Sequence, residues 1–198
     1  MDLLEKSLKV SEVFGELEVE IQRFTESSRL TCYKGCGLCC SNPYVSASVL
    51  EFLPLAFELY RSGLAEEKLA MLEAVPEDSF CILLKKLRME EEAGFCIDYK
   101  NRGLICRLFA NSARKNKYGE KELLICRKIK EGKKDQYEKV TASVQAGMEV
   151  PVGADFYARL FQIDLHMAGE SHPINIAIRK ALDAVVRYYY YKSEGDAV

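Results

Sequence analysis

No stretch of this chain approaches the roughly 18 uninterrupted apolar residues that a membrane-spanning helix needs, so a span is excluded. Charge of one sign is not in surplus either. The 28 Lys and Arg stand against 30 Asp and Glu, a net charge of −2, which argues against nucleic-acid binding by the protein as a whole and against an acidic tail. Histidine is scarce: His166 and His172 are the only two, so hydrolysis that depends on histidine has few candidates. There is no G-x-x-x-x-G-K-[ST] phosphate loop, no G-x-G-x-x-G dinucleotide turn and no H-E-x-x-H zinc motif. Repeats and low-complexity segments are missing as well. The opening residues MDLLEKSLKVSEVFGELEVE scatter acids among apolar positions with no continuous apolar core. They do not read as a secretory signal, and the expected compartment is the cytoplasm.

What the chain does have is eight cysteines in 198 residues. The length suits a single domain over 1–198 with a real core, and 48% hydrophobic with 29% charged residues is ordinary for a globular protein. In a reducing compartment the thiols read as metal ligands or redox groups rather than as four structural disulfides.

Apolar residues at Leu4, Leu8, Phe14, Leu17, Ile21 and Phe24 recur at helical spacing, which predicts a long amphipathic helix over 2–28. Ser46 is placed to cap a helix from Ala47 to Tyr60 that stops at Gly63, and a second helix is expected over Ala65–Ala74, before Pro76. The β-prone runs 80–84 and 95–99 read as a small hairpin, although the intervening KKLRMEEEA is equally compatible with helix. From Lys133 the chain reads as helical again, with Pro173 at the start of a last helix through Tyr191. The aromatic run Tyr188 to Tyr191 is expected to pack in the core or on a partner. The expected fold is therefore mainly α: helical flanks at 1–29 and 133–198 around an irregular, cysteine-rich metal-binding centre at 30–127 containing a short β-hairpin.

Cys32, Cys36, Cys39 and Cys40 place four thiols within nine residues, on a loop that Gly35 and Gly37 leave free to wrap an ion. Soft thiolates suit zinc, iron and iron–sulfur clusters, each of which takes about four such ligands. With Cys81, Cys96, Cys106 and Cys126 added, the set exceeds one centre, so either two centres form or some thiols do other work. Neighbouring Cys39 and Cys40 are expected to point apart, which favours a split of roles. Cys36-Gly-Leu-Cys39 is formally a C-x-x-C redox motif but lacks the strand-then-helix setting of a thioredoxin site.

Charge near two of the cysteines fits metal binding. From Lys100 to Lys134 there are twelve Lys or Arg against three Glu, an excess of nine. Cys106 and Cys126 each precede an arginine, in a shared Leu-Ile-Cys-Arg tetrapeptide (Leu104–Arg107 and Leu124–Arg127), and nearby cations favour the thiolate form. A solvated basic face explains the same run equally well. Nucleic-acid binding is disfavoured, because no aromatic-rich motif accompanies the charge.

Together these residues resemble a known family. Cys32-x3-Cys36-x2-Cys39-Cys40, then Gly94-Phe95-Cys96-Ile97-Asp98-Tyr99, then Asn101-Arg102-x3-Cys106-Arg107-Leu108-Phe109 resembles the YkgJ-type CxxCxxCC family. Its members are described as zinc- or iron-chelating proteins, and a related cysteine pattern occurs in flagellin lysine methylases. Cys36, Cys39, Cys40, Cys96 and Cys106 fall on the family pattern, and Cys81-Ile82-Leu83 suits its intermediate position. Gly103 stands where the pattern usually has proline, and the step from Arg102 to Cys106 is one residue longer. The resemblance covers roughly residues 30–127 and implies zinc or iron, with an iron–sulfur cluster as one form.

Three readings follow. The chain is a metal-binding protein holding zinc or iron through Cys32, Cys36, Cys39, Cys40, Cys81, Cys96, Cys106 and Cys126; or an iron–sulfur redox or protein-modifying enzyme; or an interaction or nucleic-acid module around a structural zinc, for which loss of partner binding on charge reversal at Arg114, Lys115 and Lys117 is the test. Neither catalytic residues nor a substrate can be assigned from the sequence. The two histidines are expected to be surface or capping residues.

Overall fold

A computed structural model describes residues 1–76, 79–87 and 94–195 of the chain, which divides into two compact units. Among the described residues the secondary structure is nine α-helices, one short 3-10 turn and six three-residue strands, so the protein is mainly α as expected.

The first unit comprises 1–11, 35–103 and 160–198. Strand β1 (Ser46–Ser48) pairs antiparallel with β6 (Ser171–Pro173), Ser46 lying opposite Pro173. A 3-10 turn at Leu50–Phe52 leads into α2 (Leu53–Arg61), then α3 (Ala65–Ala74). Ser46 is thus a strand residue and not a helix cap. The Glu51 carboxylate instead reaches back to accept from the Ser48 amide at 2.8 Å and its hydroxyl at 3.1 Å, as the glutamate of a capping box does, two residues later than expected.

Helix α9 (Ile174–Gly195) starts directly after Pro173 and packs against α2 and α3. Leu53, Ala56 and Phe57 of α2 and Ile178, Ala181, Leu182 and Val185 of α9 are all buried. Tyr189 stacks on Tyr60 with centroids 4.2 Å apart, and Tyr188 meets Phe57 edge-on at 5.9 Å. Such pairs add roughly 0.5–1.5 kcal/mol beyond the area they bury, and they account for half of the tyrosine run. Tyr190 and Tyr191 stay exposed. The short α8 (Leu165–Gly169) is capped by Asp164, whose carboxylate accepts from the Met167 amide at 2.8 Å and pairs with Lys6 at 2.6 Å.

The expected hairpin is present but shifted. Strand β2 (Leu84–Lys86) pairs antiparallel with β3 (Gly94–Cys96), Leu84 opposite Cys96. Residues 80–83 precede the ladder, and the segment 88–93, for which a helix was the alternative, lies outside the described residues.

The second unit comprises 12–34 and 104–159. Helix α1 (Leu3–Ser28), the long helix expected over 2–28, supplies its core with Phe24. Helix α4 (Leu104–Leu108) is followed by a hairpin of β4 (Ala113–Lys115) and β5 (Lys121–Leu123), then α5 (Arg127–Gly132), α6 (Lys134–Gln145) and α7 (Gly153–Ile163), whose last residues fall in the first unit. The β4–β5 hairpin has no counterpart in the sequence reading. Its turn is fixed by Asn116, whose side-chain oxygen accepts from the amides of Tyr118 at 2.9 Å and Glu120 at 3.0 Å. Asparagine favours such self-bonded turns. Phe24, Leu30, Ile125, Ile129, Val140 and Val144 are all buried in one cluster. A loop from Met148 to Val152 runs beside β4, the Ala113 amide donating to Pro151 at 2.8 Å.

Candidate metal centre

Five of the eight cysteines belong to the first unit: Cys36, Cys39, Cys40, Cys81 and Cys96. The loop that carries the first three is wound tightly, the Ser41 amide donating to the Gly37 carbonyl at 3.0 Å. It lies flat on the β2–β3 hairpin. The Gly94 amide donates to the Gly35 carbonyl at 2.9 Å, and the Cys81 amide donates to the Cys40 carbonyl at 3.1 Å. A Cβ at Gly37 would meet Leu84 Cδ1 at 2.7 Å, and one at Gly94 would meet the same atom at 2.9 Å. Only glycine permits so close an approach of two backbones. The contact presents the loop thiols to Cys81 and to Cys96 on β3.

The thiols are not electrostatically equivalent. The Cys40 side chain donates a hydrogen bond to Cys39, which lowers the Cys39 thiol from 9.0 to about 6; backbone amides and the Arg102 guanidinium act in the same direction. The expectation that Cys39 and Cys40 point apart is therefore wrong: on this tightly wound turn their side chains meet. Burial pushes the Cys81 thiol up to about 12, with Cys96 and Cys39 adding to the shift. Burial likewise raises Cys96, with Asp98 and Cys39 opposing its ionisation and Arg102 favouring it. Cys39, Cys81 and Cys96 thus lie within reach of one another's charge, with Arg102 the cation beside them. Hydrogen bonds to the charged form and burial shift a thiol in opposite directions, so one group combines a ready thiolate with two reluctant thiols.

Two positioning residues escaped the sequence reading. Asn175, on the first turn of α9, accepts from the Ile82 amide at 3.0 Å and donates to the Phe80 carbonyl at 3.1 Å. It thereby holds the backbone on both sides of Cys81. No local pattern announces a partner 93 residues away in the chain. Gly103 packs against Glu51 and Phe52, where a Cβ would sit 2.9 Å from the Phe52 ring. A side chain at this position, that of the proline in the family pattern included, would crowd the ring.

Cys32, Cys106 and Cys126 belong to the second unit, on separate elements: the loop after α1, helix α4, and the residue before α5. Cys126 packs partly buried against the apolar cluster. The arginines that follow two of these cysteines are engaged elsewhere. Arg107 Nη1 is 3.0 Å from Glu18 Oε2, with its guanidinium 4.5 Å from the Phe14 ring centre, and Arg127 Nε is 2.7 Å from Glu131 Oε1. His166 is exposed as expected. His172 is a strand residue with a side chain 19% exposed, its Nε2 3.4 Å from Glu170 Oε2. Among the described residues, no three His, Cys, Asp or Glu side chains are already gathered at metal-ligand spacing.

A comparison with protein families matches residues 31–140 to the CxxCxxCC family, described as a "Putative zinc- or iron-chelating domain". The chain belongs to the CxxCxxCC family. The matched span covers more than half of the chain and includes seven further cysteines beyond Cys32, so all eight lie inside it. No curated protein matches the chain, and no solved structure does. The donor chemistry of the first unit fits the description: sulfur ligands, one of them a ready thiolate, a glycine-lined contact that draws two segments together, and a neighbouring guanidinium to offset negative charge. Hard cations, which prefer oxygen, fit this set poorly.

Proposed function

We propose that the protein binds zinc or iron through the cysteines of its first unit, with Cys39, Cys40, Cys81 and Cys96 as the ligands and Cys36 as the alternate fifth thiol. The observation that carries this reading is that the Cys39 charge acts on both Cys81 and Cys96, across a contact fixed by Gly37 and Gly94. Four thiolates on a divalent ion leave a formal charge of about −2, which Arg102 partly offsets. A bound metal would cross-link the loop, the segment at Cys81 and the hairpin, and lower the Cys81 and Cys96 thiols into their ligand form. Rotation of side chains into ligand spacing accompanies binding. Cys32, Cys106 and Cys126 are the candidates for a second set.

The test is metal analysis with an absorption spectrum on protein purified without oxygen. Stoichiometric zinc and no colour support a structural or metal-handling role. Iron, acid-labile sulfide and a broad band around 400 nm favour an iron–sulfur centre, and with it the redox or protein-modifying enzyme reading. Protein that retains neither metal after reconstitution refutes the proposal.

A second reading, a metal-stabilised interaction module, draws on the surface around these cysteines. Phe80, Phe95, Ile97 and Tyr99 flank Cys81 and Cys96 in sequence and are all between 44% and 60% exposed. Exposed apolar groups gathered in this way commonly meet a protein partner.

A further inference from the structure

The second unit has an open cleft of about 690 Å³ that no cysteine lines. Its apolar lining includes Phe24 of α1, Phe156 of α7, Met148 and Val150. Its cationic lining residues are Lys115 and Lys121 of the β4–β5 hairpin, Arg23 of α1 and Arg159 of α7.

The two lysines are the informative feature. Lys115 and Lys121 stand directly opposite each other in the hairpin register. Like charges so placed oppose strand pairing. The adjacent pair, Arg114 and Glu122, points to the other face, as successive strand residues do, and is compensated by an ion pair of 3.0 Å. The same hairpin is therefore electrostatically matched on the face away from the cleft and mismatched on the face toward it. Among the described residues, no carboxylate lies within ion-pair distance of either lysine. The charge of the whole unit acts in the same sense: it carries 15 Lys and Arg against 12 Asp and Glu, whereas the first unit carries 13 against 18.

We propose that this cleft binds a small aromatic anion, its charged group held between Lys115 and Lys121 with Arg23, and its ring against the apolar part of the lining. Glu20, Glu149, Asp155 and Arg159 also line the cleft, so an entering anion is favoured most where the two uncompensated lysines stand. Partial desolvation raises the Glu20 carboxyl from its ordinary value, against the pull of Arg159 and Arg23. A volume of this order is within the range of small-molecule sites.

The test uses the full chain and the fluorescent probe 8-anilinonaphthalene-1-sulfonate, an aromatic anion. Saturable binding of one probe per chain is expected. Lys121→Glu should weaken it at least tenfold while raising the melting temperature of the ligand-free protein, because the substitution replaces a repulsive cross-strand pair with an attractive one. Lys117→Glu, at the hairpin tip outside the cleft, should leave the affinity unchanged. Inorganic phosphate, with the charge but no ring, should displace the probe only weakly. No saturable binding, equal affinity in Lys121→Glu, equal loss in Lys117→Glu, or full displacement by phosphate at the concentration of the probe would each overturn the proposal.

Discussion

The cysteines of the two units differ more than their shared family pattern implies. In the first unit a loop and a hairpin are pressed together through glycines, and the Cys39 thiol makes both Cys81 and Cys96 harder to ionise. In the second, Cys32, Cys106 and Cys126 sit on three separate elements, one of them packed against an apolar cluster, and the nearby arginines are bonded to glutamates. A cysteine count measures how many soft donors a chain holds. Whether they form a centre depends on which backbones the fold draws together.

The largest expected effect tests this contrast directly. Cys39→Ser and Cys96→Ser should each lose most of the bound metal and lower the melting temperature by roughly 10 °C or more, since metal binding is coupled to folding and structural sites contribute many kcal/mol. Cys126→Ser should leave the metal of the first unit in place and soften the protein by about 1 kcal/mol, as loss of a small buried hydrophobe does. Metal analysis beside a thermal melt checks both, and equal metal loss in Cys126→Ser would erase the distinction between the sets.

Next in size is the clamp on Cys81. Asn175→Ala leaves the Ile82 amide and the Phe80 carbonyl without their side-chain partner, a loss of roughly 1–3 kcal/mol. If Asn175 positions Cys81 for a metal, chelator competition should also show weaker metal binding, by about tenfold. A protein that loses stability but holds metal as tightly as before assigns Asn175 to the fold alone.

Acidity separates the thiols within the first set. In protein stripped of metal, iodoacetamide should modify Cys39 near pH 7, where it is largely thiolate, and leave Cys81 untouched until unfolding. The linked effects on stability have opposite signs. Cys39, lowered to about 6, adds stability that is present above its ordinary 9.0 and is lost as pH falls through 6. Cys81, raised to about 12, adds stability that is present below 9.0 and is lost as pH rises through 12. Peptide mapping after a pulse of reagent reads the first prediction; faster labelling of Cys81 than of Cys39 at pH 7 would reverse the assignment.

Much of this was legible in the sequence. The apolar spacing of α1 and the bounds of Ala65–Ala74 are local properties, and both agree with the structure. The family pattern put Cys39, Cys40, Cys81 and Cys96 in the same region of the chain. What escaped depended on distant partners or on small displacements. Ser46 has the chemistry of a cap, but its pairing with Pro173 in β1 and β6 overrides it, and the pattern Ser48-x-x-Glu51 takes up the role nearby. The hairpin runs at 80–84 and 95–99 marked the right region, but the ladder is set by Leu84 opposite Cys96 and leaves 80–83 outside it. Asn175 had no signal at all, because its partners lie near Cys81, far away in the chain.

The smallest effect comes from the repeated tetrapeptide, where identical residues meet different surroundings. Leu104–Arg107 forms most of α4, whereas Leu124–Arg127 runs from the end of β5 into the first residue of α5, its Leu124 amide donating to Ser112 at 2.8 Å. Arg107 is buried, bonded to Glu18 and set over the Phe14 ring. Arg127, with a side chain 88% exposed, reaches Glu131 one turn on. Arg107→Ala removes packing, a cation–π contact and a partly desolvated ion pair, for a loss of roughly 1–3 kcal/mol. Arg127→Ala removes an exposed pair of one helical turn, worth no more than about 0.5 kcal/mol. Denaturant melts of the two variants check the ratio. Equal losses would mean that the tetrapeptide itself, and not the packing around it, sets what its arginine contributes.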